Sequence, residues 1–143
     1  MRFVDTNILL YAVSTVAEEE RKARIALNIL DSEDLALSVQ VLQEFYVQAT
    51  RAGGSAGLTH RQATLLIESF LRFPVQETTV SLLTTSLEAK ERFQISYWDA
   101  AIIEAARAIG CTTVLSEDLT AGRDYGGVRV ENPFGLWSGD LRR

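Results

Sequence analysis

Short apolar runs alternate with longer amphipathic stretches along the whole chain, and that alternation limits the folds open to it. Phe3-Val4, Leu35-Ala36-Leu37-Ser38, Val75-Gln76-Glu77, Thr112-Thr113-Val114-Leu115 and Val128-Arg129-Val130 read as short strands. Residues about 7–14, 17–31, 39–51, 59–73, 80–93 and 97–109 carry helical periodicity or helix boundary signals. Asp5-Thr6-Asn7 supplies side chains that cap a helix start, Pro74 stops one helix, and Gly110 closes another. Ala52-Gly53-Gly54-Ser55-Ala56-Gly57 is a break of small residues. Strands that alternate with helices form βαβ units, so the expected class is α/β, with a parallel sheet covered on both faces. Ligands of such sheets bind at the carboxyl ends of the strands.

At 143 residues the chain is expected to form a single domain, 1–143, with the tail 135–143 peripheral to it. One Cys excludes an internal disulfide, and one Cys with one His cannot supply the ligands of a zinc site. Any metal must be held by oxygen. Met1-Arg2-Phe3-Val4-Asp5 has no signal-peptide core, and no apolar run approaches 18 residues, so a cytoplasmic protein without membrane contact is expected. A formal net charge of -5 counts against a broad nucleic-acid-binding face, because phosphate affinity comes mainly from Lys and Arg.

Four acids fall where a site belongs. Asp5 ends the first strand and Asp118 lies just past the strand that finishes at Leu115; each is also explained as a cap or loop residue. On the helix that starts near Val39, Glu44 points away from the face of Leu42, Phe45 and Ala49, towards the side of Gln48 and Arg51. A freely solvated Glu is the plainer reading of that position. Ser96-Tyr97-Trp98-Asp99 matches a capping start, and Asp99 can serve as a first-turn acid and face a ligand as well. Carboxylates about 4 Å apart repel by about 4 kcal/mol per pair at an effective dielectric of 20, so convergence of four calls for a cation. Oxygen donors alone select Mg2+, with Mn2+ as a substitute, and such ions promote phosphodiester hydrolysis.

Phe3-Val4-Asp5-Thr6-Asn7, Gln43-Glu44-Phe45, Tyr97-Trp98-Asp99-Ala100 and Leu115-Ser116-Glu117-Asp118-Leu119, in this order, resemble the PIN-domain proteins. The chain is similar more narrowly to the VapC-type toxins of toxin–antitoxin systems, and the likeness runs through the closing Asn132-Pro133-Phe134. The resemblance implies a three-layer α/β/α fold with a parallel sheet of order 3-2-1-4-5. It also implies a magnesium-dependent endoribonuclease. Asp5, Glu44, Asp99 and Asp118 match the family's acidic metal-binding residues, and Thr6 or Asn7 and Ser116 match its supporting polar positions. The partners expected are an RNA substrate, a cognate antitoxin and a second copy of the chain. A housekeeping PIN nuclease for RNA maturation and a non-catalytic PIN-like binding module are the alternatives. With four acids assigned to a cation the remaining charge is near balance, and RNA contact is expected from the metal and from local Arg, with Arg51, Arg92 and Arg123 as candidates.

Other motifs carry little. Gly53-Gly54-Ser55-Ala56-Gly57 fits the G-x-S-x-G pattern but follows a helix, whereas a nucleophile elbow follows a strand. His60 reads as a surface residue and Cys111 as a small buried one. Tyr11, Phe45, Tyr46, Tyr97 and Trp98 are expected mainly in the core, and Trp137 over a surface or at an interface.

Overall fold

The computed structural model describes residues 1–135. Phe3 and Val4 have no exposed surface and belong to the middle strand, β1 (Arg2–Val4). β2 (Leu35–Ser38) is buried along its full length, as expected of a strand covered on both faces. With β3 (Val75–Gln76), β4 (Thr113–Leu115) and β5 (Arg129–Glu131) they form one sheet of order β3-β2-β1-β4-β5 in which every pairing is parallel. This is the order implied by the resemblance.

Six helices flank the sheet: α1 (Thr6–Ala12), α2 (Glu20–Leu30), α3 (Val39–Ala49), α4 (His60–Phe70), α5 (Val80–Phe93) and α6 (Tyr97–Ala108). α6 packs on β2, β3 and β4 and also against α5, while α1 packs on α2 and α3. The sequence of α6 explains its place between sheet and helix: every residue from Ala100 to Ala106 is buried, and four of these are Ala, which lets both neighbours approach closely. Ser38, Thr59, Thr79 and Ser96 cap α3, α4, α5 and α6 by accepting a hydrogen bond from a first-turn N–H, each contributing about 0.5–2 kcal/mol. Past α6, Gly110 has φ +89°, and the Cys111 N–H reaches the Ala106 carbonyl at 2.8 Å. That left-handed turn is the reason a glycine stands there.

The expected elements all occur, with shifted ends. The stretch 17–31 opens with a 3-10 turn, Ala17–Glu19, before α2, and the last strand lies one residue further on than its apolar pattern indicates. The expectations for Trp137, and for the tail beyond Gly135, lie outside the described residues. Among the described residues, no helix is long and apolar enough to cross a membrane.

The order of the strands positions the site. β1 pairs with β2 on one side and β4 on the other, so the sheet grows in opposite directions from β1 and a crevice opens at the carboxyl ends of these strands. The register sets Val4 beside Leu115, and Asp5 and Ser116 therefore leave the sheet side by side.

At the far end of α6, Arg107 donates to the carbonyls of Tyr125 at 2.5 Å and Gly126 at 2.7 Å and pairs with the buried Glu104 at 3.1 Å. Arg107→Ala deprives all three groups of that partner. We expect it to cost about 2–3 kcal/mol, read as a lower urea midpoint with an unchanged slope. A loss under about 0.5 kcal/mol would show that water replaces the Arg without penalty.

Candidate metal centre

Asp5 caps α1. Its Oδ1 accepts the Thr6 N–H at 2.7 Å and its Oδ2 accepts the Ser116 hydroxyl at 2.7 Å, and only 7% of the residue is exposed. Asn7, two residues on in the first turn of α1, is buried too. Its amide nitrogen lies 3.5 Å from Asp5 Oδ2, 3.4 Å from Ser116 Oγ and 3.2 Å from Asp118 Oδ2, and its Oδ1 accepts the Glu117 N–H at 3.1 Å. Ser116 Oγ in turn accepts the N–H groups of Asp118 and Leu119 at 3.1 and 3.3 Å. The loop after β4 is thus folded around two short polar side chains, and Asp118 is held at its rim.

From the other side, Glu44 Oε1 accepts the Thr6 hydroxyl at 2.6 Å and Oε2 accepts the Gln40 amide at 3.2 Å. The plain reading of Glu44 as freely solvated does not hold: it is half-buried, with both oxygens engaged. Asp99 is half-buried in the first turn of α6, where its N–H is capped by Ser96 at 3.0 Å and its side chain faces the same cavity. Both readings of Asp99 apply together. The cavity, of about 190 Å³, is lined by all four acids and by Thr6, Asn7, Gln40, Gln48 and Trp98 among others.

Electrostatics connects the four. Burial pushes the Asp5 carboxyl up to about 6; hydrogen bonds from Ser116 and Thr6 oppose the rise, and the charges of Glu44 and Asp118 add to it. The Asp99 carboxyl is raised above the ordinary Asp value, first by burial, against the Ser96 hydrogen bond, and further by Asp118 and Glu44. Both rises measure first the cost of burying a carboxylate and then that of gathering negative charge at this edge. The donor set is all oxygen. Among the described residues no three Asp, Glu, His or Cys side chains stand close enough to cage an ion directly. This fits a small hard cation that keeps several waters and takes only one or two carboxylates directly, and does not fit a dehydrated metal cage.

A clamp on the neighbouring loop residue escaped the sequence reading. Glu117 accepts the Tyr11 hydroxyl at 2.5 Å and forms a salt bridge with Lys22, and Lys22 lies over the Tyr11 ring at 4.9 Å. Burial pushes the Glu117 carboxyl up, but Lys22 and Tyr11 together carry it below the ordinary value. Only the position of Glu117 between Ser116 and Asp118 could have pointed to this pairing.

Several expectations need correction or a place. Trp98 is 63% exposed and lines the cavity, because the continuously buried part of α6 begins only at Ala100. Tyr11, Tyr46 and Tyr97 are partly buried, and Phe45 is in the core. Arg123 donates to the Phe93 carbonyl at 2.8 Å and stacks on Tyr125, and Arg92 stacks on Phe93, so neither lines the acidic cavity. Arg51 is close by, in an adjoining pocket that also contains Glu44. His60 is on the surface, 2.8 Å from the Tyr46 hydroxyl, and Cys111 is buried, as expected.

The chain is similar in fold to several known structures. VapC20 of Mycobacterium tuberculosis, described as a toxin that cleaves the sarcin–ricin loop, superposes with a TM-score of 0.64 at 22% identity, over 82% of this chain and 92% of its own. A toxin–antitoxin complex from Klebsiella pneumoniae gives 0.68 at 18% identity, over 94% and 98%. DNA-bound VapBC from Salmonella typhimurium gives 0.65 at 16%, over 92% and 97%. At these identities the likeness establishes the fold. A search of curated proteins by sequence gives no match. The family model of the PIN domain matches residues 2–123, and the chain belongs to the PIN domain family.

Proposed function

We propose that the chain is a single-domain, divalent-metal-dependent endoribonuclease that uses Mg2+, with Mn2+ as a substitute, and acts as the toxin of a type II toxin–antitoxin pair in the cytoplasm. The observation that carries this reading is the shared cavity of Asp5, Glu44, Asp99 and Asp118 at the carboxyl edge of the sheet, with two of the carboxyls raised by burial and by the other acids. Membership of the PIN family and the likeness to VapC20 and to two toxin–antitoxin complexes support it. A homodimer and an antitoxin that covers the cleft belong to the same reading. The exposed Val80, Leu83 and Leu87, spaced along one side of α5, support a partner surface.

The four acids would hold the cation together with the waters it retains. When bound, it polarises a phosphoryl oxygen, eases deprotonation of water and neutralises charge on the leaving oxygen. The remaining chemistry is positioning. Ser116 and the Thr6 N–H fix the Asp5 carboxylate, the Thr6 hydroxyl and Gln40 fix Glu44, and the Asn7 amide holds Asp118. Water attacks phosphorus and gives up a proton to solvent, the bond to the 3′ oxygen breaks, and that oxygen takes up a proton from solvent to leave as a 3′ hydroxyl, the new 5′ end carrying the phosphate.

The test is cleavage of a panel of structured RNAs with and without Mg2+, with Asp99→Ala alongside. We expect cleavage only with metal, and a fall of at least about 100-fold in the variant. Cleavage in chelator, or full activity in Asp99→Ala, would overturn the proposal. A neighbouring gene for a short DNA-binding protein would separate a toxin from a housekeeping nuclease.

A further inference from the structure

Beside the acidic cavity lies a second pocket of about 400 Å³, lined by Gln40, Gln43, Glu44, Val47, Gln48, Arg51 and Trp98. Gln40, Glu44, Gln48 and Trp98 line both, so the two adjoin and make a trough along α3. Among the described residues Trp98 is the one aromatic side chain that ranks with the exposed large apolar residues, at 63% exposure. It is not loose. The Tyr97 and Trp98 rings pack in a T-shape with centroids 5.0 Å apart and planes at 80°, and the Trp98 backbone carbonyl lies 3.4 Å from the Gln40 amide. A braced indole with solvent beside it offers a flat face.

The lining chooses the occupant. The Gln43 and Gln48 amides both donate and accept, which suits the edges of a nucleobase; the Gln40 N–H groups are held by Glu44 and the Trp98 carbonyl, and Arg51 matches a phosphate. Arg51 lies two residues past the end of α3 and lines the same pocket as Glu44, which places a phosphate on Arg51 next to the acids. An apolar peptide segment would find only Val47 and Trp98 to bury against. On the reading of the acidic cavity as a ribonuclease site, we infer that this trough binds an unpaired RNA nucleotide flanking the scissile phosphate, its base stacked on Trp98 and its phosphate on Arg51.

A stacked base is sequence-tolerant, since every base has a π face, and a paired base cannot reach the indole without leaving its helix. The trough thus gives an acidic chain local affinity for single-stranded RNA without a broad basic face. It also adds to Trp98 and Arg51 a task that the packing of the fold leaves open.

The test uses the full chain with Trp137→Phe, so that Trp98 is the one indole reporting. Octamers of single-stranded RNA, and a duplex of the same length, are titrated in Ca2+ while indole emission is followed, and KM and kcat for cleavage of the octamers are measured in Mg2+. We expect saturable quenching by the single strands and none by the duplex. In the unmutated background Trp98→Leu should raise KM about 5- to 150-fold, and Trp98→Phe should recover most of the loss. Arg51→Gln should reduce the slope of log affinity against log salt by about 0.7, the share of one phosphate. Trp98 is exposed, so its replacement leaves the core intact; an unchanged thermal midpoint checks that. Wild-type cleavage with an unchanged KM in Trp98→Leu and no quenching overturns the subsite and leaves the nuclease standing. A chain that neither cleaves nor binds any RNA overturns both. Quenching by an antitoxin-derived peptide but not by RNA assigns the trough to a protein partner and overturns the subsite.

Discussion

Asp5→Asn is expected to make the metal-free protein more stable at pH 7.5, by about 2–3 kcal/mol, while it removes nuclease activity. The reason is the burial of the carboxyl, which pushes it up to about 6 from an unfolded value of 3.8. A raised acid binds its proton more tightly in the native state. Its contribution to stability is therefore fully present below about pH 4 and is lost as pH rises through about 6, at close to 1.4 kcal/mol per pH unit in between. Asn carries no charge at any pH and can still accept the Thr6 N–H, so the cap survives and the penalty goes. A divalent cation should act on wild type in the same direction: Mg2+ restores stability at pH 7.5 and does less at pH 4.5, where the Asp5 carboxyl is protonated. Urea unfolding in chelator at the two pH values, for wild type and variant, reads all of this. A variant less stable than wild type at pH 7.5 would mean that the hydrogen bonds to Asp5 outweigh its desolvation.

Asn7→Ala is the second large effect. One amide holds Asp118, Asp5 and Ser116, and its oxygen receives the Glu117 N–H. Ala removes all four contacts at a buried position, at about 2–3 kcal/mol of stability, and lets the loop after β4 move with Asp118 on it. Side chains that orient metal ligands usually control 10- to 100-fold of affinity or activity, and a loss of about 100-fold in kcat is expected here. Since Asn7 lies beneath the acids, KM should change less than kcat. Asn7→Asp should be worse in chelator than Asn7→Ala, because it adds a charge to a crowded edge. Full activity in Asn7→Ala, measured as initial rates on one RNA, would show that the Glu117 clamp with Tyr11 and Lys22 holds the loop alone.

The strands and helices were legible because each is short and keeps one period. Phe3-Val4 and Val114-Leu115 are apolar runs that end in polar residues, and parallel pairing then brings Asp5 and Ser116 together. The direction of Glu44 followed from helical phase, and it does share a pocket with Gln48 and Arg51. Its bond to Thr6 did not follow, because phase gives the face of a helix and not what lies opposite, 38 residues away in sequence. Trp98 was misplaced for a related reason: periodicity assigns a stripe but does not say where along the helix its burial begins. The Tyr11 and Glu117 pair spans 106 residues and depends on the side-by-side docking of α1 and the loop after β4. Arg92 and Arg123 were drawn to aromatic rings that sequence could not set beside them.

If the four acids form one cation site that drives RNA cleavage, ion binding and cleavage of a single labelled RNA, followed together as chelator-treated protein is titrated with Mn2+ at pH 7.5, must be linked. Activity should rise in step with occupancy, and Asp5→Asn should lose both. Cleavage at the full rate before any Mn2+ is added, or Mn2+ binding that is unchanged in Asp5→Asn, would contradict it.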